Sequence, residues 1–152
     1  MSHKCKNILI TCMDFRLRCE MWKWMDAQKY THDCDVVSLA GASKGIADGG
    51  EAEHVILQQI DVAYKLHEVR YVILLHHSDC GAYHASYDFK AEAEKDESAQ
   101  ADGWADKEKE KQLEDMKKAK QIIEDRYLGI EVVLVWGQLK DEGGEEIEFS
   151  TI

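Results

Sequence analysis

The chain has 152 residues, 45% of them apolar and 32% charged, the size and composition of one globular domain with a buried core. Its net charge of −11, from 30 acidic against 19 basic side chains, argues against nucleic acid or an anionic membrane as partner, since both need clustered positive charge. The longest apolar runs, such as Tyr71 to Leu75 and Val132 to Trp136, have the length of a strand and are too short to span a bilayer.

Met1 to Lys6 is polar and runs straight into an apolar stretch, which leaves no room for a signal peptide; a cytoplasmic location is expected. In that reducing setting the 5 cysteines are thiols or metal ligands rather than a disulfide framework. Asn7 to Thr11 reads as a short buried strand ending at Cys12. Leu17 to Tyr30 carries Leu17, Met21, Trp24, Met25 and Gln28 at helical spacing. Asp35 to Ala40 is a second strand, closed by Gly41. Asp48-Gly49-Gly50-Glu51 has the form of a helix start, with an acid at the N-cap and a glutamate three residues on. The helix that follows places Ala52, Val55, Ile56, Ile60, Ala63 and Leu66 on one face. Arg70 to His76 is a third strand, and its continuous apolar run implies burial on both faces.

From Asp88 to Arg126, 13 acidic and 9 basic residues crowd into 39 positions. Up to about Asp106 this segment reads as an exposed loop or frayed helix. Beyond it, Leu113, Met116, Ala119, Ile123 and Tyr127 form one stripe of an amphipathic helix whose charges make a solvated face. Ile130 to Trp136 is a fourth strand, and Glu146 to Ser150 is a candidate edge strand. Neither repeat nor linker divides residues 1–152, so a single domain is expected.

Strands alternating with helices specify an α/β fold: a central, mostly parallel sheet with helices on both faces. Right-handed crossovers around a central first strand give the order 2-1-3-4. The chain then reverses direction between strands one and three, and open α/β sheets bind ligands at such a switch point, beyond the carboxyl ends of the strands.

Two segments fall at that place: Cys12-Met13-Asp14-Phe15-Arg16 and His77-Ser78-Asp79-Cys80-Gly81. Thiolate and neutral imidazole are the donors zinc prefers. A tight turn can aim both ends of His-x-x-Cys at one ion, and three protein donors leave a fourth position free, the pattern of catalytic rather than structural zinc. A lone buried cysteine is more often packing than ligand, and a lone His-x-x-Cys is a weak signal. Their combination at neighbouring strand ends strengthens the case for a metal site.

Cys-x-Asp-x-Arg after the first strand, followed by His76-His77-Ser78-Asp79-Cys80-Gly81 after an apolar strand, resembles the β-class carbonic anhydrase family in its small, minimal form. Val135-Trp136-Gly137 sits where that family has a late strand closing on a glycine. The resemblance runs from roughly Ile8 to Phe149 and is weakest across Asp88 to Arg126. It implies zinc held by Cys12, His77 and Cys80, with Asp14 and Arg16 as a paired dyad beside it. The implied reaction is reversible hydration of carbon dioxide to bicarbonate by zinc-bound hydroxide. Asp14 would orient the hydroxide, and Arg16 would keep Asp14 ionised. A homodimer or dimer of dimers is implied as well, with the aromatic helix around Trp22 and Trp24 as interface surface.

One family feature is missing. Where members regulated by bicarbonate carry an arginine after strand two, this chain has Ser38-Leu39-Ala40-Gly41, so that regulation is not expected. His84 and Tyr83 are the nearest candidates for a proton shuttle, with His32 and His54 as looser ones. His76 is expected to point away from the metal, and Cys5, Cys19 and Cys34 to be free thiols. Two alternatives remain open on the sequence: hydrolysis of carbonyl sulfide or carbon disulfide at the same metal, and a non-catalytic zinc-binding domain.

Overall fold

The structure is a computed structural model that describes residues 3–95 and 103–152. Five strands, β1 (Asn7–Cys12), β2 (Cys34–Leu39), β3 (Tyr71–His77), β4 (Glu131–Leu139) and β5 (Ile147–Thr151), form one sheet in the order β2-β1-β3-β4-β5. All pairings are parallel except β4 with β5. The order expected for the first four strands is present, and the candidate edge strand extends it.

The continuous apolar runs of β1 and β3 follow from their central positions. Every residue of β1 is buried, as are all of β3 after Tyr71. Alternate side chains face two helical layers. Ile8, Ile10, Val72 and Leu74 pack against α2 (Lys44–Asp48), α3 (Gly50–Val62) and α6 (Gly103–Arg126). Leu9, Ile73 and Leu75 join Leu17 and the α1 residues Met21 and Met25 (α1, Arg18–Ala27), together with Tyr83 of α4 (Gly81–His84) and Phe89 of α5 (Phe89–Glu94).

Several boundaries differ from the sequence reading. The first helix ends at Ala27, where Lys29 turns left-handed (φ 64°) and the Tyr30 N–H returns to the Met25 carbonyl. Asp48 does not cap α3. It closes the unforeseen short helix α2 and pairs there with Lys44 at 2.6 Å. Gly49 and Gly50, at φ 84° and 74°, make the turn between the two helices, a conformation that side-chain-bearing residues resist. β4 does not close on Gly137. It runs on to Leu139 because β5 pairs with it, Phe149 opposite Gly137.

The largest correction concerns the charged segment. It contains α5, and α6 begins at Gly103; residues 96–102 of the expected loop lie outside the described residues. Met116, Ala119, Ile123 and Tyr127 are buried as expected. The polar side chains of α6 are not all solvated, however: Glu108, Gln112 and Asp115 are buried on the same stripe. Their partners are the loop after β3 and the helix beyond it.

Candidate metal centre

β1 ends at Cys12 and β3 at His77, adjacent strands whose carboxyl ends open at the switch point. After His77 the chain turns through Ser78 and Asp79, the latter left-handed at φ 58°, and delivers Cys80 at the start of α4. One ligand atom each from Cys12, His77 and Cys80 lies within 4.8 Å of the other two, and all three residues are at least nine-tenths buried. The two sulfurs are 3.8 Å apart.

The hydrogen bonding of His77 assigns its free nitrogen. Nδ1 donates to the Ser78 carbonyl oxygen at 2.9 Å, leaving a lone pair on Nε2. Nε2 is buried without a hydrogen-bond partner, a costly arrangement for a polar atom unless a ligand completes it. Period-two alternation puts the preceding His76 on the opposite face of the sheet, as expected. There its Nδ1 donates to Gln112 Oε1 at 3.0 Å and its Nε2 accepts from Ser43 Oγ at 2.7 Å.

The charges of the cluster are coupled. Cys12 is lowered, first by its hydrogen bond with Cys80 and then by His77, against the opposing effect of burial. Cys80 is raised by that same bond and by burial. Burial works against a charge on His77, but the neighbouring Cys12 sulfur outweighs it and raises the imidazole. Two sulfurs thus share a proton beside an imidazole. A divalent cation can replace that proton and hold both sulfurs as thiolates. Two thiols, one imidazole with an unsatisfied nitrogen and deep burial together fit zinc.

Asp14 and Arg16 lie at the rim. Asp14 starts a single 3-10 turn (Phe15–Leu17) by accepting from the Arg16 backbone N–H at 3.0 Å. The Arg16 side chain then folds back onto the same carboxylate, Nη2 to Oδ2 at 2.7 Å and Nε to Oδ1 at 3.1 Å. Its other contacts are with Asp79, Nη1 to Oδ2 and Nη2 to the carbonyl oxygen, both 2.7 Å. These bonds push the Asp14 carboxyl below the usual carboxylate range. Asp14 Oδ2 stands 4.0 Å from His77 Nε2. Gly144, in the β4–β5 connection, closes over Arg16: a Cβ there would lie 2.6 Å from Arg16 Cβ.

Sequence reading missed the support behind these groups. Glu108 Oε1 accepts from the Cys80 N–H at 2.7 Å and Oε2 from the Asp79 N–H at 2.9 Å. Gln112 Nε2 donates to the His77 carbonyl at 2.9 Å and to Glu108 Oε1 at 2.9 Å. Both lie four residues apart on the buried stripe of α6, and extending the Met116–Ala119–Ile123 spacing toward the N-terminus would have found them. Of the shuttle candidates, Tyr83 is fully buried and donates to Asp115. His32 and His54 are exposed, and His54 meets Gln58 at 2.9 Å. His84 Nε2 is 3.5 Å from Asp79 Oδ1, with the ring against Phe89 and Trp104. A cavity of about 240 Å³ reaches Cys12 and Asp14 between Leu17, Met21, Trp22 and Val36.

Fold and site define an α/β protein with a buried two-sulfur, one-imidazole donor set at its switch point. Residues 2–143 match the family described as "Putative carbonic anhydrase", and the chain belongs to that family. An uncharacterized protein of Rickettsia bellii is 32% identical over 132 residues, covering 86% of this chain and 74% of its own. Two crystal structures share the fold at low identity. The β-carbonic anhydrase isoform I of Trichomonas vaginalis superposes with TM-score 0.63 at 15% identity, covering 100% of this chain and 86% of that one. One of two tetrameric β-carbonic anhydrases of Sordaria macrospora gives 0.56 at 18% identity, covering 97% and 80%.

Proposed function

We propose that the chain is a zinc-dependent lyase that hydrates carbon dioxide reversibly to bicarbonate, with Cys12, His77 and Cys80 as the metal ligands. The observation that carries this reading is the buried, unsatisfied Nε2 of His77, on a ring with a ligand atom within 4.8 Å of two sulfurs, beside a carboxylate fixed by arginine. Zinc in such a site supplies the Lewis acidity that turns water into a nucleophile near neutral pH.

The remaining work falls to the chain's own residues. Asp14 is kept ionised by Arg16, so its Oδ2 is an acceptor that would orient a water molecule entering the site. Arg16 also ties that carboxylate to Asp79, so dyad and ligand loop are joined by direct hydrogen bonds. Leu17, Met21, Trp22 and Val36 offer an apolar approach to a small neutral substrate. Hydration of carbon dioxide releases one proton with each bicarbonate. His84, partly exposed and beside Asp79, is the imidazole suited to carry that proton to solvent. Ser38 stands at the rim of the same cavity where regulated members carry arginine, and no bicarbonate regulation is proposed.

The proposal extends to assembly and location. Met13, Phe15 and Trp22, near the cavity, are 64%, 76% and 44% exposed, apolar surface that a second copy would cover; a homodimer or dimer of dimers follows. One continuous sheet with a core on each face supports a single domain. No helix among the described residues is long and apolar enough to cross a membrane, and we place the protein in the cytoplasm.

Zinc content and hydration measured on Cys80→Ser test the ligand assignment. The variant should lose the metal of this site and activity together; full activity would refute it. Hydrolysis of carbonyl sulfide or carbon disulfide by a zinc-loaded protein inert toward carbon dioxide would shift the substrate and leave the metal site in place.

A further inference from the structure

We propose that the chain holds a second divalent-cation site, formed by Cys5, Asp35 and His67 at the amino-terminal edge of the sheet. Its ligand class is zinc or a similar borderline cation. The six residues of β1 separate this edge from Cys12, about 17–20 Å along a strand, so the two sites share no ligand.

Three distant segments converge here. Cys5 precedes β1, Asp35 is the second residue of β2, and His67 ends a π-helical turn (Ala63–His67) ahead of β3. One ligand atom from each lies within 4.8 Å of the other two. His67 Nδ1 is 2.6 Å from Asp35 Oδ2. Around a tetrahedral zinc ion such atoms stand roughly 3.3–3.7 Å apart, so small side-chain rotations suffice to take up the cation.

Backbone bonds already hold the frame. The Cys5 N–H donates to the His67 carbonyl at 3.1 Å, and the N–H groups of Arg70 and Tyr71 both reach the Lys6 carbonyl. Lys6 and Asn7 donate in turn to Asp33, just before β2. The donors therefore sit on segments locked together before any cation arrives, which lowers the entropy cost of binding. Sulfur, nitrogen and oxygen in one cluster suit zinc better than calcium or magnesium, which take oxygen alone. A thiolate and a carboxylate balance a divalent charge. His67 and Asp35 side chains are 30% and 34% exposed, which gives an entry path and a water for the fourth position. The consequence is structural: the cation clamps the segment before β1 to β2 and to the turn leading into β3.

The test is equilibrium dialysis of the full chain against micromolar zinc, followed by metal analysis. Cys5→Ser and His67→Gln should each hold one equivalent fewer than wild type, whatever the first site binds. In the wild-type protein, zinc should slow iodoacetamide alkylation of Cys5, mapped by mass spectrometry, by about tenfold or more, because a coordinated thiolate is a poor nucleophile. Exposed Cys19 serves as the internal control and should be unaffected. Equal zinc content in wild type and folded variants, or a Cys5 that reacts as fast with zinc as without it, overturns the proposal. The alkylation result decides the matter even where a variant fails to fold.

Discussion

Glu108 accepts the backbone N–H of Cys80 at 2.7 Å, and in doing so a buried carboxylate on α6 fixes the turn between two of the three proposed ligands. The same carboxylate holds the neighbouring Asp79 N–H, so one side chain satisfies both amides of the turn. Replacing Glu108 by Ala leaves the buried Cys80 N–H and the part-buried Asp79 N–H unpaired. Each such loss costs about 1–3 kcal/mol, and removing support behind metal ligands typically weakens metal binding about 10–100-fold. Zinc competition against a chromophoric chelator and a thermal melt of the metal-free protein check the two effects separately. Unchanged zinc affinity would show that the loop holds its geometry without α6.

The Asp14–Arg16 pair predicts an acid dependence of stability. The Asp14 pKa is depressed in the folded protein, so the pair's contribution is full above the unfolded value of about 3.9 and fades as pH falls through the lower folded value. In metal-free protein, Arg16→Gln should be less stable than wild type by a constant amount above about pH 5, a gap that narrows below about pH 4. Urea denaturation across that range measures it. A gap independent of pH would mean that Arg16 acts by packing alone.

His76 titrates in the same direction but in another window. Burial lowers it to about 4, so below the unfolded value of about 6.5 the unfolded chain binds a proton that the folded chain refuses. Stability should fall by roughly 3 kcal/mol as pH drops from about 6.5 to 4. Comparing urea midpoints of metal-free wild type and His76→Gln isolates this contribution, since His77 is common to both. The variant should lose less stability over that interval, and parallel curves would contradict the assignment.

Gly144 is predicted to control Arg16 from above. At φ 71°, with a virtual Cβ 2.6 Å from Arg16 Cβ, it tolerates no side chain without movement of one or the other. Gly144→Ala should cost roughly 1–3 kcal/mol and reduce turnover while zinc content stays unchanged. A thermal melt with metal analysis and a hydration assay would show it. An unperturbed, fully active variant would mean that the connection moves aside freely.

A 17.4 kDa chain that hides Met13, Phe15 and Trp22 against a second copy should sediment at twice or four times that mass. Trp22→Glu should shift it toward the monomer. A monomeric wild type at micromolar concentration would contradict the proposed assembly.

Much of this was legible in the sequence because central strands write their burial directly: Ile8 to Ile10 and Val72 to Leu75 are apolar without interruption since helices cover both faces. The ends of those strands then placed Cys12, His77 and Cys80 together by topology alone. What was not legible depended on partners far along the chain. Asp48 and Glu51 imitate a capping box, but the left-handed Gly49 and Gly50 divide the segment into two helices. Glu108 and Gln112 look like part of a solvated charge run because their partners, the amides and carbonyl of residues 77–80, are about thirty positions away. A charged side chain on a helix is placed outside by default, and only the loop amides reverse that expectation.

The most direct measurement is stopped-flow hydration of carbon dioxide, followed with a pH indicator on protein of assayed zinc content. Rapid hydration that rises with pH and disappears in Asp14→Ala is the predicted result. Zinc-loaded protein that hydrates nothing from about pH 6.5 to 9, a range spanning the ionisation of zinc-activated water, would contradict the proposed function.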